Sequence, residues 1–293
     1  MARTLVIAAH PDEESLGAAS LLTSLESCGV LHLTDGAPRD PRFWPPCVLA
    51  TRAAYAWQRS EEARRALALA GVPEEDRHRL GAAELDLSYG MAELSRDIFY
   101  WLLAIRPELV VTHAYEGGHP DGDATAFSVA AACALLANAG HRPPIVLEMA
   151  LYHGAPGHRV VGEFIPSEVA PPQIECAFAD GALLRKHDML RCFDSQADLL
   201  RPWFALEREC FRPAPRYDFR LPPHRGPLGY EQAGHAMTGA EWRARAAQAR
   251  IELELTTAIL PADGGDDRAD ADGEDGALPR ALAAAGQPGR WRA

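Results

Sequence analysis

The chain has 293 residues, 47% hydrophobic and 24% charged, enough apolar material for a real core in one large domain or two small ones. Its net charge of −12 argues against a nucleic-acid partner, because phosphate binding needs basic patches. No apolar run is long enough to span a bilayer, so no membrane partner is expected. No signal peptide is read at the N-terminus, and the six cysteines are scattered without a CxxC pair. They read as reduced, mostly structural thiols of a soluble, cytoplasmic protein.

In chain order, the apolar run Leu5–Ala9 predicts a buried strand, and 16–25 follows with helical spacing. Residues 30–34 predict a second strand, ended by the turn signal Asp35-Gly36. A Pro/Arg-rich loop over 38–46 precedes a helix over 52–70, stopped by Gly71 and Pro73. A helix over 93–105, a strand over 109–112, a small-residue helix over 124–137 and a strand over 145–147 follow. The alternation implies an α/β fold: a Rossmann-like, mostly parallel sheet with helices on both faces. Beyond residue 150 the pattern weakens. A helix is expected over 183–200, an irregular wrap over 211–230, and a last helix from Thr238 to about Leu260, with Glu241 completing a capping box. Residues 1–260 are read as one domain. Residues 261–293 are read as an acidic, disordered tail, whose stretch 263–275 carries about half of the net charge.

Two motifs stand out: His10-Pro11-Asp12-Glu13-Glu14 and His119-Pro120-Asp121-Gly122-Asp123. Each follows an apolar strand and precedes a helix, at the carboxyl edge where parallel sheets bind ligands. A bare turn role for Pro and Asp does not account well for two matching motifs. Hydrolysing an amide at neutral pH needs a strong nucleophile, which a metal-bound water supplies. His10 and Glu13 offer two metal ligands three residues apart. Asp12, between them, is free to act as general base on the water. Glu14 holds a ligand or caps the helix, and Gly17 lets the helix approach the sheet. Asp121 either orients His119 or His10, or caps a helix. Tyr115 and Glu116 precede the second motif and are candidates for substrate contact. Asp35, Tyr152, His153 and His158 also follow strands, with plainer structural roles equally open.

These residues resemble the PIG-L/LmbE-like N-acetylglucosaminyl deacetylase family. The resemblance runs over roughly residues 3 to 255. It rests on 9–17, 33–37 and 116–121, on Arg59 with Glu62, and on 211–230. It implies a Zn²⁺-dependent hydrolase that removes an N-acetyl or similar acyl group from an amino-sugar-like small molecule. By the resemblance His10 and Glu13 are zinc ligands, Asp12 the general base, and His119 the group that stabilises the oxyanion or protonates the leaving amine. Arg59 is expected to meet the substrate. Two positions depart from the family pattern: Glu13 stands where Asp is usual, and Gly122 where the third zinc ligand, a histidine, is usual. Three readings stay open at Gly122. Another group such as Asp123, His113 or His119 moves in, water fills the space, or metal and activity have been lost. The last makes the chain a small-molecule or protein binding module.

Overall fold

Residues 4–25, 27–48, 51–155, 157–167, 170–178, 181–255 and 291–292 are described by a computed structural model. β1 (Thr4–Ala8) leads through α1 (Glu13–Gly17) and α2 (Ala19–Ser24) to β2 (Cys28–Pro38). Then come α3 (Arg52–Ala70), β3 (Arg77–Glu84), α4 (Met91–Ile105), β4 (Leu109–His113), α5 (Pro120–Asn138) and β5 (Ile145–Met149). These five strands are parallel, in the order β5-β4-β1-β2-β3. The chain builds outward from β1 to β3, then returns to place β4 on the other side of β1. The order in which strands are added therefore reverses between β1 and β4, and a ligand crevice is expected there.

The alternation of β1 assigns its faces. Leu5 and Ile7 join α4, α5 and α9 (Gly239–Glu252) in one core. Val6 and Ala8 join α1, α2, α3 and α6 (Ala182–Leu190) in the other. Helices thus cover both faces, as the sequence implied. Gly17 is where α1 meets the sheet: a Cβ there would lie 2.8 Å from Leu151 Cδ2 and 2.9 Å from Met149 Sδ. The α1–α2 hairpin is fixed from below by a buried pair. Lys186 Nζ donates to Leu16 O (2.7 Å) and to Glu209 Oε1 (2.8 Å). The Glu209 carboxylate accepts the Ala19 and Ser20 amides at the start of α2.

Beyond β5 the sheet turns antiparallel. β6 (Tyr152–His153) and β7 (Val160–Val161) form a separate ribbon. β8 (Ile174–Ala177) and β9 (Arg208–Pro213) extend the main sheet beside β5. β10 (Trp291–Arg292) pairs with β8. The predicted helix over 183–200 is two: α6 stops at Leu190 and α7 (Ala197–Leu200) follows a 3₁₀ turn. Within the expected wrap, β9 takes residues up to Pro213 and α8 (Gly229–Gln232) the far end. Thr238 caps α9 by accepting the Glu241 amide (3.1 Å), but Glu241 turns to Arg245 (2.7 Å) instead of closing the box. The predicted end of that helix at 260 lies outside the described residues, as does the acidic tail apart from residues 291–292.

Two departures reach the site. β2 does not end at Asp35-Gly36; it bulges there, with Gly36 at φ 65°, and runs on to Pro38. β3 was not anticipated: its Arg77-His78-Arg79-Leu80 start is too polar for a buried strand, and it lies at the sheet edge. Among the described residues, no helix is long and apolar enough to cross a membrane.

Candidate metal and catalytic site

β1 and β4 end side by side, and their two turns face each other across the switch point. After β1 the chain turns through Asp12, whose φ of 142° is a strained value for a residue with a Cβ. The strain is held from several sides. The Asp12 carbonyl accepts the Ser15 and Leu16 amides, and Glu14 Oε2 accepts the Asp12 amide (3.0 Å). Arg59 Nη2 donates to Asp12 Oδ2 (2.9 Å) and to Pro11 O (2.5 Å). Glu14 also meets His32 Nε2 at 2.8 Å, so it caps the turn and braces it against β2. Glu13 Oε1 lies 3.0 Å from His10 Nδ1, and its Oε2 lies 3.0 Å from His113 Nε2.

After β4, α5 begins at Pro120, four residues earlier than the sequence implied, so the second motif forms its first turn. The N-cap is His119, not Asp121: His119 Nδ1 accepts the Asp121 amide (3.2 Å). That bond leaves the proton of neutral His119 on Nε2. Asp121 Oδ2 lies 3.2 Å from His10 Nε2 and accepts the Leu85 amide (2.6 Å); its Oδ1 accepts the Leu87 amide (3.2 Å). Asp121 thus orients His10 and ties the end of β3 to it. The His10 and His119 rings meet edge-on, with centroids 4.6 Å apart.

Burial and charge set the protonation. Burial pushes the Asp12 carboxyl up to about 7, with Arg59 opposing the rise. Burial alone would raise Glu13 too, but His113 and His10 hold its carboxyl well below the usual range. Burial would lower His10, but the Glu13 and Glu84 charges outweigh it and raise the imidazole. His119 is pushed well below the usual value by burial and by His10 beside it.

The family's zinc set does not fit these residues. Position 122 has no side chain, and its space is taken: a Cβ on Gly122 would lie 3.0 Å from His113 Nδ1. Next to it remains a cavity of about 20 Å³ lined by Glu13, His113, His119, Gly122 and Asp123 among others. That is room for about one water. Asp123 does not fill the gap: its Oδ1 accepts the Glu116 and Gly117 amides, and its Oδ2 has no partner. Both Glu13 oxygens are engaged by histidines.

His10, Glu13, Asp12, His119 and Asp121 are brought together as the sequence implied. Arg59 is there too, but 2% exposed, with its Nε on Gly36 O and Nη2 on Asp12; only Nη1 lacks a hydrogen-bond partner. Tyr115 is elsewhere. Its ring packs on Trp242, Tyr217 and Phe219, and its hydroxyl donates to Leu221 O (3.0 Å). Asp35 pairs with Arg52 (2.6 Å), Tyr152 lines the small cavity, His153 is buried and His158 exposed.

Sequence reasoning missed Glu84, His32 and His235. Glu84 ends the unanticipated β3, with Oε1 4.0 Å from His119 Nε2. His235 stacks on Phe43 and meets the His119 ring edge-on at 5.2 Å. Among the described residues, one group of three His, Cys, Asp or Glu side chains brings its ligand atoms within 4.8 Å of one another: His10, Glu84 and His119. The carboxyl-edge position of Glu84 could have been found had β3 been recognised.

A mostly parallel sheet with two His-Pro-Asp turns at its switch point defines the class, the LmbE/PIG-L deacetylase fold. Residues 5–133 match the family model described as PIG-L, GlcNAc-PI de-N-acetylase. Among solved structures it is similar to the A40926 pseudoaglycone deacetylase Dbv21, at 16% identity and TM-score 0.54, over 72% of this chain and 96% of that one. It is similar to the zinc-inhibited form of teicoplanin deacetylase Orf2, at 16% identity and TM-score 0.53, over 74% and 99%. It is also similar to the N,N'-diacetylchitobiose deacetylase from Pyrococcus horikoshii, at 16% identity and TM-score 0.52, over 76% and 87%. At such identities the likeness is one of fold. No curated protein matches the chain in sequence.

Proposed function

We propose that the chain is an N-deacetylase, hydrolysing the acyl amide of an amino-sugar-like small molecule. The observation that carries this reading is Asp12: a strained, buried carboxyl at the switch point, poised near pH 7 and held by Arg59. A carboxylate with that poise accepts a proton from an attacking water and returns it to the leaving amine. Neutral His119 presents Nε2–H from the neighbouring turn as a donor to the oxyanion that forms on the acyl oxygen. Arg59 fixes the Asp12 carboxylate. Asp121 fixes His10 and, through its backbone contacts, the end of β3. The deacetylase fold of the solved relatives supports the same reaction class, and the teicoplanin and chitobiose enzymes support a sugar-bearing substrate. No step is routed through the family's zinc, because the residues at its position do not fit it.

Gly122 with His113 in its space supports a second reading, a pocket that binds such ligands without turning them over. Amine release from a panel of N-acetyl amino sugars decides between them. The hydrolase reading expects release by the wild type, and a loss of about 10²- to 10⁴-fold in Asp12→Asn, the span of general acid–base catalysis. Release that Asp12→Asn leaves intact sinks the assignment of Asp12. Saturable binding with no release at any pH from 6 to 9 favours the second reading.

A further inference from the structure

We propose that His10, Glu84 and His119 form a divalent-metal site of the zinc type, displaced across His10 from the position the family uses. The first argument is the loss of the family position, where Gly122 brings no ligand and His113 occupies the space. The second is the orientation of His10. Its Nδ1 faces Glu13 Oε1 at 3.0 Å, so Nε2 is the nitrogen that would turn to a metal, giving up its 3.2 Å contact with Asp121 Oδ2. Metal-binding histidines commonly donate their other ring nitrogen to a carboxylate in this way. Glu13 is then an orienting carboxylate, and its extra methylene over the usual Asp lets it reach His10 and His113 together.

The third argument is the construction around Glu84. Its Oε1 lies 4.0 Å from Nε2 of the neutral His119. The residue after it, Leu85, sits at φ 73°, strained for a leucine, with its amide bound to Asp121 Oδ2. Asp121 in turn lies 3.2 Å from His10 Nε2. The end of β3 is therefore pinned to the pair of histidines by the residue that already contacts one of them. Three ligand atoms within 4.8 Å of one another need only a small contraction to bind one ion. Two imidazoles and a carboxylate make a donor set that suits Zn²⁺, with a fourth position open as in catalytic sites. The Glu84 and His119 side chains are 21% and 11% exposed, so an ion can reach them.

Binding has one local cost. Ligation through His119 Nε2 moves the ring proton to Nδ1 and gives up the 3.2 Å bond from the Asp121 amide. It also displaces the proton that His10 shares with Asp121, so uptake releases protons. Loading changes His119 from a hydrogen-bond donor into a ligand. The inference does not rest on the hydrolase reading, since it is tested without substrate.

The test is Zn²⁺ uptake by equilibrium dialysis with elemental analysis, and Co²⁺ binding followed by visible absorption. The wild type is expected to take one ion per chain. Glu84→Gln and His119→Asn should each weaken binding at least about tenfold and alter the Co²⁺ spectrum. Glu13→Gln, which keeps an acceptor for His10, should cost less than either. Thermal melting by circular dichroism shows that each variant is folded, and the two ligand variants are independent should one fail. Zinc-edge anomalous density between His10, Glu84 and His119 is the expected crystallographic result. No uptake by the wild type overturns the proposal. So does density between Glu13 and His113, or a Glu84→Gln variant that binds like the wild type while Glu13→Gln does not.

Discussion

The two His-Pro-Asp turns start from nearly the same letters and end in opposite electrostatic states. In the first, every carboxylate has a basic partner within 3.0 Å: Asp12 has Arg59, Glu13 has His10 and His113, and Glu14 has His32. In the second, Asp121 is spent on backbone amides and His10, while Asp123 has two amides and an oxygen with no partner. The first turn is braced by charge from β2, α3 and β4. The second is braced by backbone amides, those of Leu85 and Leu87 at the end of β3 and those of Glu116 and Gly117 ahead of its helix. A motif's letters specify its turn, but its chemistry depends on which strands stand beside it. The loss of one side chain at Gly122 is absorbed by His113, a residue outside the motif.

The sharpest way to break that contrast is to remove the brace of the first turn. Arg59 and Asp12 are 2% and 10% exposed in their side chains, so Arg59→Leu leaves a buried carboxyl without its cation. Breaking a buried pair from one side costs about 3–5 kcal/mol. Urea denaturation at pH 8 should show a loss of that order, and adding Asp12→Asn should recover most of it. A loss under about 1 kcal/mol would mean that the backbone, not the ion pair, holds the turn.

Gly122→His tests the second turn with a smaller effect. A Cβ there meets His113 Nδ1 at 3.0 Å, so the new ring must displace the old one. Overpacking of this kind costs about 1–3 kcal/mol. The single variant should be destabilised with no gain in zinc affinity, whereas Gly122→His with His113→Ala should regain stability and bind zinc more tightly. A large gain from Gly122→His alone would show that His113 yields freely, and that the two turns differ less than their geometry suggests.

Much of this was legible in the sequence, for identifiable reasons. Leu5–Ala9 and 109–112 are continuous apolar runs, which mark buried parallel strands, and both motifs sit at their carboxyl ends. The α3 boundaries were read correctly because Gly71 supplies a left-handed stop. β3 was not legible: an edge strand needs no apolar run, and Arg77, His78 and Arg79 hid it. Glu84 was lost with it. Tyr115 was read as a substrate contact because of its place before the motif, yet Trp242 and Phe219, more than a hundred residues away, draw its ring into the core. Such pairings are set by tertiary packing, and spacing along the chain carries no trace of them.

The finest contrast between the turns is in their response to pH, and Asp123 isolates it. Asp12 has a cation to limit its rise; Asp123 has only the Gly117 and Glu116 amides, and burial pushes it up to about 8. An aspartate in the unfolded chain titrates near 3.9. Between those values the folded chain holds a proton that the unfolded chain has released. Stability contributed by this group is therefore full below about pH 4 and declines as pH rises toward about 8, at no more than about 1.4 kcal/mol per pH unit. Asp123→Asn keeps an oxygen for the two amides and removes the titration. Urea midpoints measured from pH 5 to 8 should fall more steeply for the wild type than for the variant. Parallel curves would mean that Asp123 is ionised throughout, with water in the adjoining cavity satisfying Oδ2, and the second turn would then be as well compensated as the first.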